Sequence, residues 1–192
     1  MATYSSELET ELRWYIDSFL EDGKYRLRKL LKNESVGTRY ELLMNVRGIF
    51  GRMTCLHCGA YASDLDTIKC MLDNFSCDQK YNVMKIQDYD KWTALHFAAV
   101  YGYTSIINYL LSNLSQQQKY DLLKTQDKDG DTPLHIAAIS KKVETVQAIT
   151  SSVSSPLLIQ LFNIRNKKGQ AVTDIRPELY DELQALISQG SV

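Results

Sequence analysis

The chain has 192 residues, 44% hydrophobic and 23% charged, which is enough for one sizeable domain with its own core. A formal net charge of −1 excludes the basic footprint of a nucleic-acid binder, and no apolar run approaches the roughly 18 residues that span a membrane. Four cysteines in uneven spacing, with no charged-then-apolar leader after Met1, exclude a disulfide framework and point to a soluble protein of the reducing cytoplasm.

The first apolar stripe, Leu8, Leu12, Tyr15, Ile16 and Phe19, predicts a helix over about residues 6 to 20, with Ser6 and Glu9 spaced as a capping box. Asp22-Gly23 is expected to end it, and Leu27, Leu30 and Leu31 mark a second helix. The basic residues Arg26, Arg28, Lys29 and Lys32 are flanked by Glu21, Asp22 and Glu34, the pattern of a solvated helix face. Leu30-Leu31 and Tyr40-Glu41-Leu42-Leu43 answer Leu110-Leu111 and Tyr120-Asp121-Leu122-Leu123 further on, so residues 1–48 are expected to be a degenerate first repeat that caps an array.

The array itself shows next. Thr54-Cys55-Leu56-His57-Cys58-Gly59-Ala60, Thr93-Ala94-Leu95-His96-Phe97-Ala98-Ala99 and Thr132-Pro133-Leu134-His135-Ile136-Ala137-Ala138 follow one another at a spacing of 39 residues, and a further step reaches Ala171. Each part of the motif has a physical use. The threonine caps a helix, Pro133 fits the first helical position where its missing N–H is harmless, and the leucine points inward. The histidine can bond the backbone of a neighbouring turn, and the small alanines let helices stack closely. Full repeats are expected at 49–87, 88–126 and 127–165, with outer helices at Ile68 to Leu72, Ile107 to Leu111 and Val146 to Ile149. Ser76, Ser115 and Ser154 then recur, the first two followed by Gln79 and Gln118 in capping-box spacing, and this predicts a short third helix in each repeat. Gly130 and Gly169 precede the motif where Arg52 and Lys91 stand in the earlier repeats. Gly102 is matched by Ser63 and Lys141, which are expected in the left-handed region at a cost in strain. In residues 166–192, Asp174 occupies the histidine slot, and Pro177 opens an expected closing helix with Leu179, Leu183, Leu186 and Ile187 as its apolar face. Gln189-Gly190-Ser191-Val192 is expected to fray.

Over roughly residues 49 to 188 these motifs resemble the ankyrin-repeat family, whose signature is T-P-L-H-x-A, with a period of 39 in place of the usual 33 or so. The resemblance implies an all-α solenoid of stacked helix pairs, capped at both ends, with an extra short helix per repeat, residues 1–192 forming one domain. Terminal caps speak for a whole unit over a fragment. It also implies a non-enzymatic module that binds a protein or peptide through its concave face and loop tips, as a monomer, with no nucleic acid, membrane or cofactor. Carried over residue by residue, the partner-facing positions are Phe50, Met53, Tyr61 and Ala62 in the first full repeat. In the next they are Tyr89, Asp90, Trp92, Val100 and Tyr101, and in the last Lys128, Asp129, Asp131, Ile139 and Ser140. Aromatics gather in the earlier repeats, and the expected binding set is Tyr61, Tyr89, Asp90, Trp92, Val100, Tyr101, Lys128 and Asp131.

Other chemistries have weaker support. Cys55, His57, Cys58, Cys70 and Cys77 fall in one window and invite a zinc reading, yet Cys55, Cys58 and Cys70 fill apolar repeat slots and His57 is the recurring histidine, so no metal is expected. All three histidines belong to the motif, and no phosphate loop or nucleophile elbow occurs, so no catalytic residue is assigned. Two alternatives to a general binding module stay open: a host-directed effector of a symbiont, pathogen or phage, and a purely structural scaffold segment.

Overall fold

A computed structural model describes residues 6–18, 21–48 and 52–178. The described residues form thirteen helices and no strand. They divide into two compact units, Met1–Phe97 and Ala98–Val192, each taken here by itself.

The first unit opens with α1 (Ser6–Ser18), α2 (Glu21–Asn33) and α3 (Val36–Asn45). Leu8, Leu12, Tyr15 and Ile16 are buried, and they pack α1 against α2 and against α4 (Cys55–Tyr61). Asp22-Gly23 does not end α1, as expected from sequence; both residues lie in the first turn of α2. Phe19 lies outside the described residues, as does the Ser6 side chain, and Glu9 instead accepts from Arg13 Nη2 at 2.8 Å. α3 is capped by Ser35, whose hydroxyl accepts the Thr38 amide at 3.1 Å. Residues 1–48 thus already hold three helices.

Each range expected as a full repeat also holds three. The first unit continues with α4, α5 (Leu65–Leu72) and α6 (Cys77–Met84), and α7 (Ala94–Tyr101) runs across its limit. The second unit contains α8 (Thr104–Leu111), α9 (Gln116–Leu123), α10 (Pro133–Ile139), α11 (Val143–Ser151), α12 (Ser155–Phe162) and α13 (Val172–Ile175). The third helices α6 and α9 begin as predicted, with reciprocal Ser76/Gln79 and Ser115/Gln118 boxes. α12 begins differently. The Ser154 hydroxyl caps nothing, and since Leu157 in the glutamine slot has no oxygen to accept the Ser154 amide, that amide donates 2.8 Å to Gln116 Oε1 of the preceding third helix.

Two kinds of long-range polar bond hold consecutive repeats. In the first, a cation of one third helix satisfies the free carbonyls that end the next outer helix. Buried Arg39 donates 2.7 Å to the Cys70 carbonyl and 2.8 Å to that of Asp73, while its guanidinium lies over Phe75. In the second unit Lys119 does the same for Ser152 at 3.1 Å. The second kind is a triad on buried Asp64: half-buried Arg28 Nη2 donates 2.6 Å to Asp64 Oδ1, and buried Tyr15 donates 3.2 Å to Asp64 Oδ2. Asp64 also caps α5 through the Thr67 amide. Burial works to raise the Asp64 carboxyl, but the Thr67 and Arg28 bonds outweigh it and hold it below the usual carboxylate range. The expected closing helix, with Leu179, Leu183, Leu186 and Ile187, and the tail 189–192 lie outside the described residues.

Candidate functional site

The turns that precede α7, α10 and α13 are built on one plan. Asp88 Oδ1 accepts the amides of Asp90 at 2.9 Å and Trp92 at 2.8 Å, and the Asp88 amide closes the turn on the Trp92 carbonyl at 2.9 Å. Asp127 repeats this with Asp129 and Asp131, and Asn166 with Lys168 and Gln170. Asp88, Asp127 and Asn166 keep the 39-residue spacing, a signal present in the sequence but not used above. Each turn closes through a left-handed residue: Lys91 at φ 60°, Gly130 at 80° and Gly169 at 76°, with Arg52 at 55° in the corresponding place. A side chain on Gly130 would meet the Lys167 amide nitrogen at 2.7 Å, so glycine there also permits two turns to touch.

The threonine and histidine of each motif form a closed box. The Thr54 amide donates 3.0 Å to His57 Nδ1, and His57 Nε2 lies 3.0 Å from the Trp92 carbonyl; Thr132, His135 and the Gln170 carbonyl repeat the arrangement. Nδ1 must accept and Nε2 must donate, which fixes the neutral tautomer. Burial pushes His57 down to about 4 and lowers His135 as well.

In the first unit the expected partner-facing residues come together around Phe97. The Trp92 ring lies 5.0 Å from it and the Tyr61 ring 6.1 Å, both edge-on, and His57 adds a third edge at 5.9 Å. Tyr61 remains 43% exposed and Tyr89 57% exposed, while Trp92 is half-buried and Asp90 exposed. Arg52, which is not in the expected binding set, lies with its guanidinium 5.9 Å from the centre of the Tyr89 ring. In the second unit Tyr101, 42% exposed, stacks on Tyr103 at 5.6 Å, beside half-buried Val100. Lys128 is exposed, but Asp131 is buried, its Oδ1 accepting 2.8 Å from Asn166 Nδ2, so that side chain joins two turns of its own unit. Ile139 and Val143 are exposed beside a cleft that also includes Ile175 and Arg176. Met53 is half-buried and Phe50 lies outside the described residues.

The cysteines are separately placed: Cys55 and Cys58 are buried, Cys70 half-buried and Cys77 exposed. Burial pushes the Cys55 thiol up to about 12, so it stays protonated, and both His57 ring nitrogens are engaged as described. Among the described residues no group of three or more His, Cys, Asp or Glu side chains is placed to hold a metal ion. None of their helices is long and apolar enough to cross a membrane.

A family model described as ankyrin repeats, in three copies, matches residues 21–121 and 86–157. The chain belongs to the ankyrin-repeat family. No curated protein matches it. The threonine–histidine boxes, the left-handed turns and the paired inner and outer helices are therefore ankyrin features, and the third helices account for the 39-residue ankyrin period. Asp174, in the histidine slot of the last ankyrin motif, keeps half of the box, accepting the Ala171 amide at 2.8 Å. Ankyrin repeats are generally protein–protein interaction modules.

Proposed function

We propose that this ankyrin chain binds a partner protein or peptide through the ends of its inner helices and the tips of its turns, the concave side in ankyrin terms, and that this role needs no catalysis and no cofactor. The observation that carries this is where large apolar side chains meet solvent. Tyr61, Tyr101 and Ile139 stand exposed at the last turns of α4, α7 and α10 and Tyr89 at a turn tip, with Trp14 on α1 and Val143 at the start of α11 exposed apart from them, whereas the outer face of α5 presents Asp66 and Lys69. Exposed aromatics bury large area at small entropic cost when a partner covers them, and they dominate interface energetics elsewhere.

Photo-crosslinking amino acids at Tyr89 and Tyr101 test it against the same probe at Lys69. Discrete adducts in cell extract are expected from the first two positions and not from the third. Equal labelling from Lys69 overturns the assignment of the face. Cytoplasmic residence accompanies this reading, and fluorescence of a tagged full chain in its source cells tests it. A host-directed effector and an inert scaffold segment are the outcomes that adduct identity distinguishes: a host protein in the first case, no discrete adduct in the second.

A further inference from the structure

Arg52 occupies the turn position that Gly130 and Gly169 fill elsewhere, and it adopts the left-handed region that glycine enters freely and side chains enter under strain. Lys91 does the same in the next turn. Asn74 and Asn113, also left-handed, belong to a residue type that tolerates the region. Ser63 and Lys141 are left-handed as well, so what sets Arg52 apart is the aromatic ring that its side chain meets.

The Arg52 side chain is exposed, and its guanidinium is held over the Tyr89 ring. Among the described residues no carboxylate pairs with it. A guanidinium can grip a carboxylate with two parallel N–H bonds. Tyr89 and Trp92 are three residues apart in the turn closed by Asp88, hence within roughly 11 Å of each other along the chain. The Trp92 and Tyr61 edges on Phe97 provide an apolar step in the same unit. Asp88 and Asp90 offset Arg52 and Lys91 in charge, so the carboxylate-binding feature here is the exposed guanidinium held over Tyr89 and not the net charge of the turn.

We propose that the segment docking on the first unit is acidic and hydrophobic in composition: an Asp or Glu carboxylate held by Arg52, next to an apolar side chain that lies on the Tyr61–Trp92 step. The proposal rests on the reading above that this face binds a protein partner.

A random peptide library displayed on phage, selected against the whole chain, tests it. Selected peptides are expected to be enriched in Asp or Glu beside an aliphatic or aromatic residue. The best of them is expected to bind Arg52→Gly about tenfold or more weakly, the loss of one charge-assisted contact. Glycine removes the left-handed strain, so this variant folds at least as well as the parent and a loss cannot be blamed on unfolding. Arg52→Lys keeps the charge without the planar fork and is expected to recover only part of the loss. A pool without acidic enrichment, or acidic peptides that bind Arg52→Gly at parental strength, overturns the acidic class. If such peptides still lose binding on Tyr61→Ala or Tyr89→Ala, the interaction face stands and only the partner chemistry fails. If binding survives all three substitutions, the face fails with it.

Discussion

His57 accepts at Nδ1 and donates at Nε2, and a proton added to Nδ1 would set two N–H groups against each other at the start of α4. With the folded value pushed down to about 4 by burial and the ordinary value near 6.5, the fold favours the neutral ring. The stability this contributes is fully present above about pH 6.5 and is lost as pH falls toward 4. The expected loss for His57 alone between pH 7 and pH 5 is about 2 kcal/mol, with His135 acting in the same direction. Denaturant melts across that range check it. His57→Gln supplies an uncharged capping acceptor at the same position, and its melts are expected to show a shallower pH dependence. An unchanged slope in that variant would move the proton uptake elsewhere. That histidine, threonine and left-handed glycine mark these turns was legible in the sequence because the threonine–histidine bonds span three residues, while the carbonyls that face Nε2 lie 35 residues on. Arg52 was not legible, since nothing local says that a side chain in a glycine position will rest on a tyrosine of the next turn.

At the scale of one helix, the third helices separate what side-chain capping contributes. The Ser115 hydroxyl accepts the Gln118 amide at 3.2 Å and the Gln118 side chain returns a bond at 3.0 Å, whereas the Ser154 hydroxyl bonds nothing at the head of α12. Ser115→Ala is expected to cost about 0.5–2 kcal/mol. Ser154→Ala should stay within about 0.5 kcal/mol, because its amide bond to Gln116 survives the change. Equal costs in chemical denaturation would show that the hydroxyls do not carry the difference. The third helices themselves were readable from Ser and Gln at box spacing. The short α3 was less so: its Ser35 cap is bonded to Thr38, and its real anchor is Arg39, whose acceptors are backbone carbonyls 31 and 34 residues away. A carbonyl carries no residue identity, so such a partner leaves no trace in sequence. Asp22-Gly23 misled for a related reason, since a turn-forming pair also suits a helix's first turn.

For the chain as a whole, stability comes from the sum of such repeats and their contacts with neighbours in sequence. Leu95, almost fully buried in α7, fills the inward position of the motif. Leu95→Ala is expected to cost about 2–5 kcal/mol, the usual toll for truncating a buried leucine. A loss below about 1 kcal/mol in denaturant melts would contradict its place in the core. The apolar and capping pattern sufficed for the all-α repeat architecture because both follow from spacing. The candidate surface was only partly legible: Asp131 and Lys128 share a turn in sequence, yet Asn166 takes the carboxylate of the first, and the lysine stays in solvent.

The clamps from α3 and α9 to the outer helices that follow them also bear on how a gene of this kind changes length. Arg39 and Lys119 each reach the carbonyl end of the following outer helix, so a repeat of ordinary length inserted ahead of it would bring no such cation and leave those carbonyls without their donor. Adding or deleting a whole 39-residue module that leaves α3 ahead of α5 and α9 ahead of α11 preserves both clamps, whereas a shorter ankyrin module placed inside either pair severs one. Lengthening or shortening in this lineage is therefore expected to proceed in complete modules, with related chains differing in how many they carry and not in the size of each.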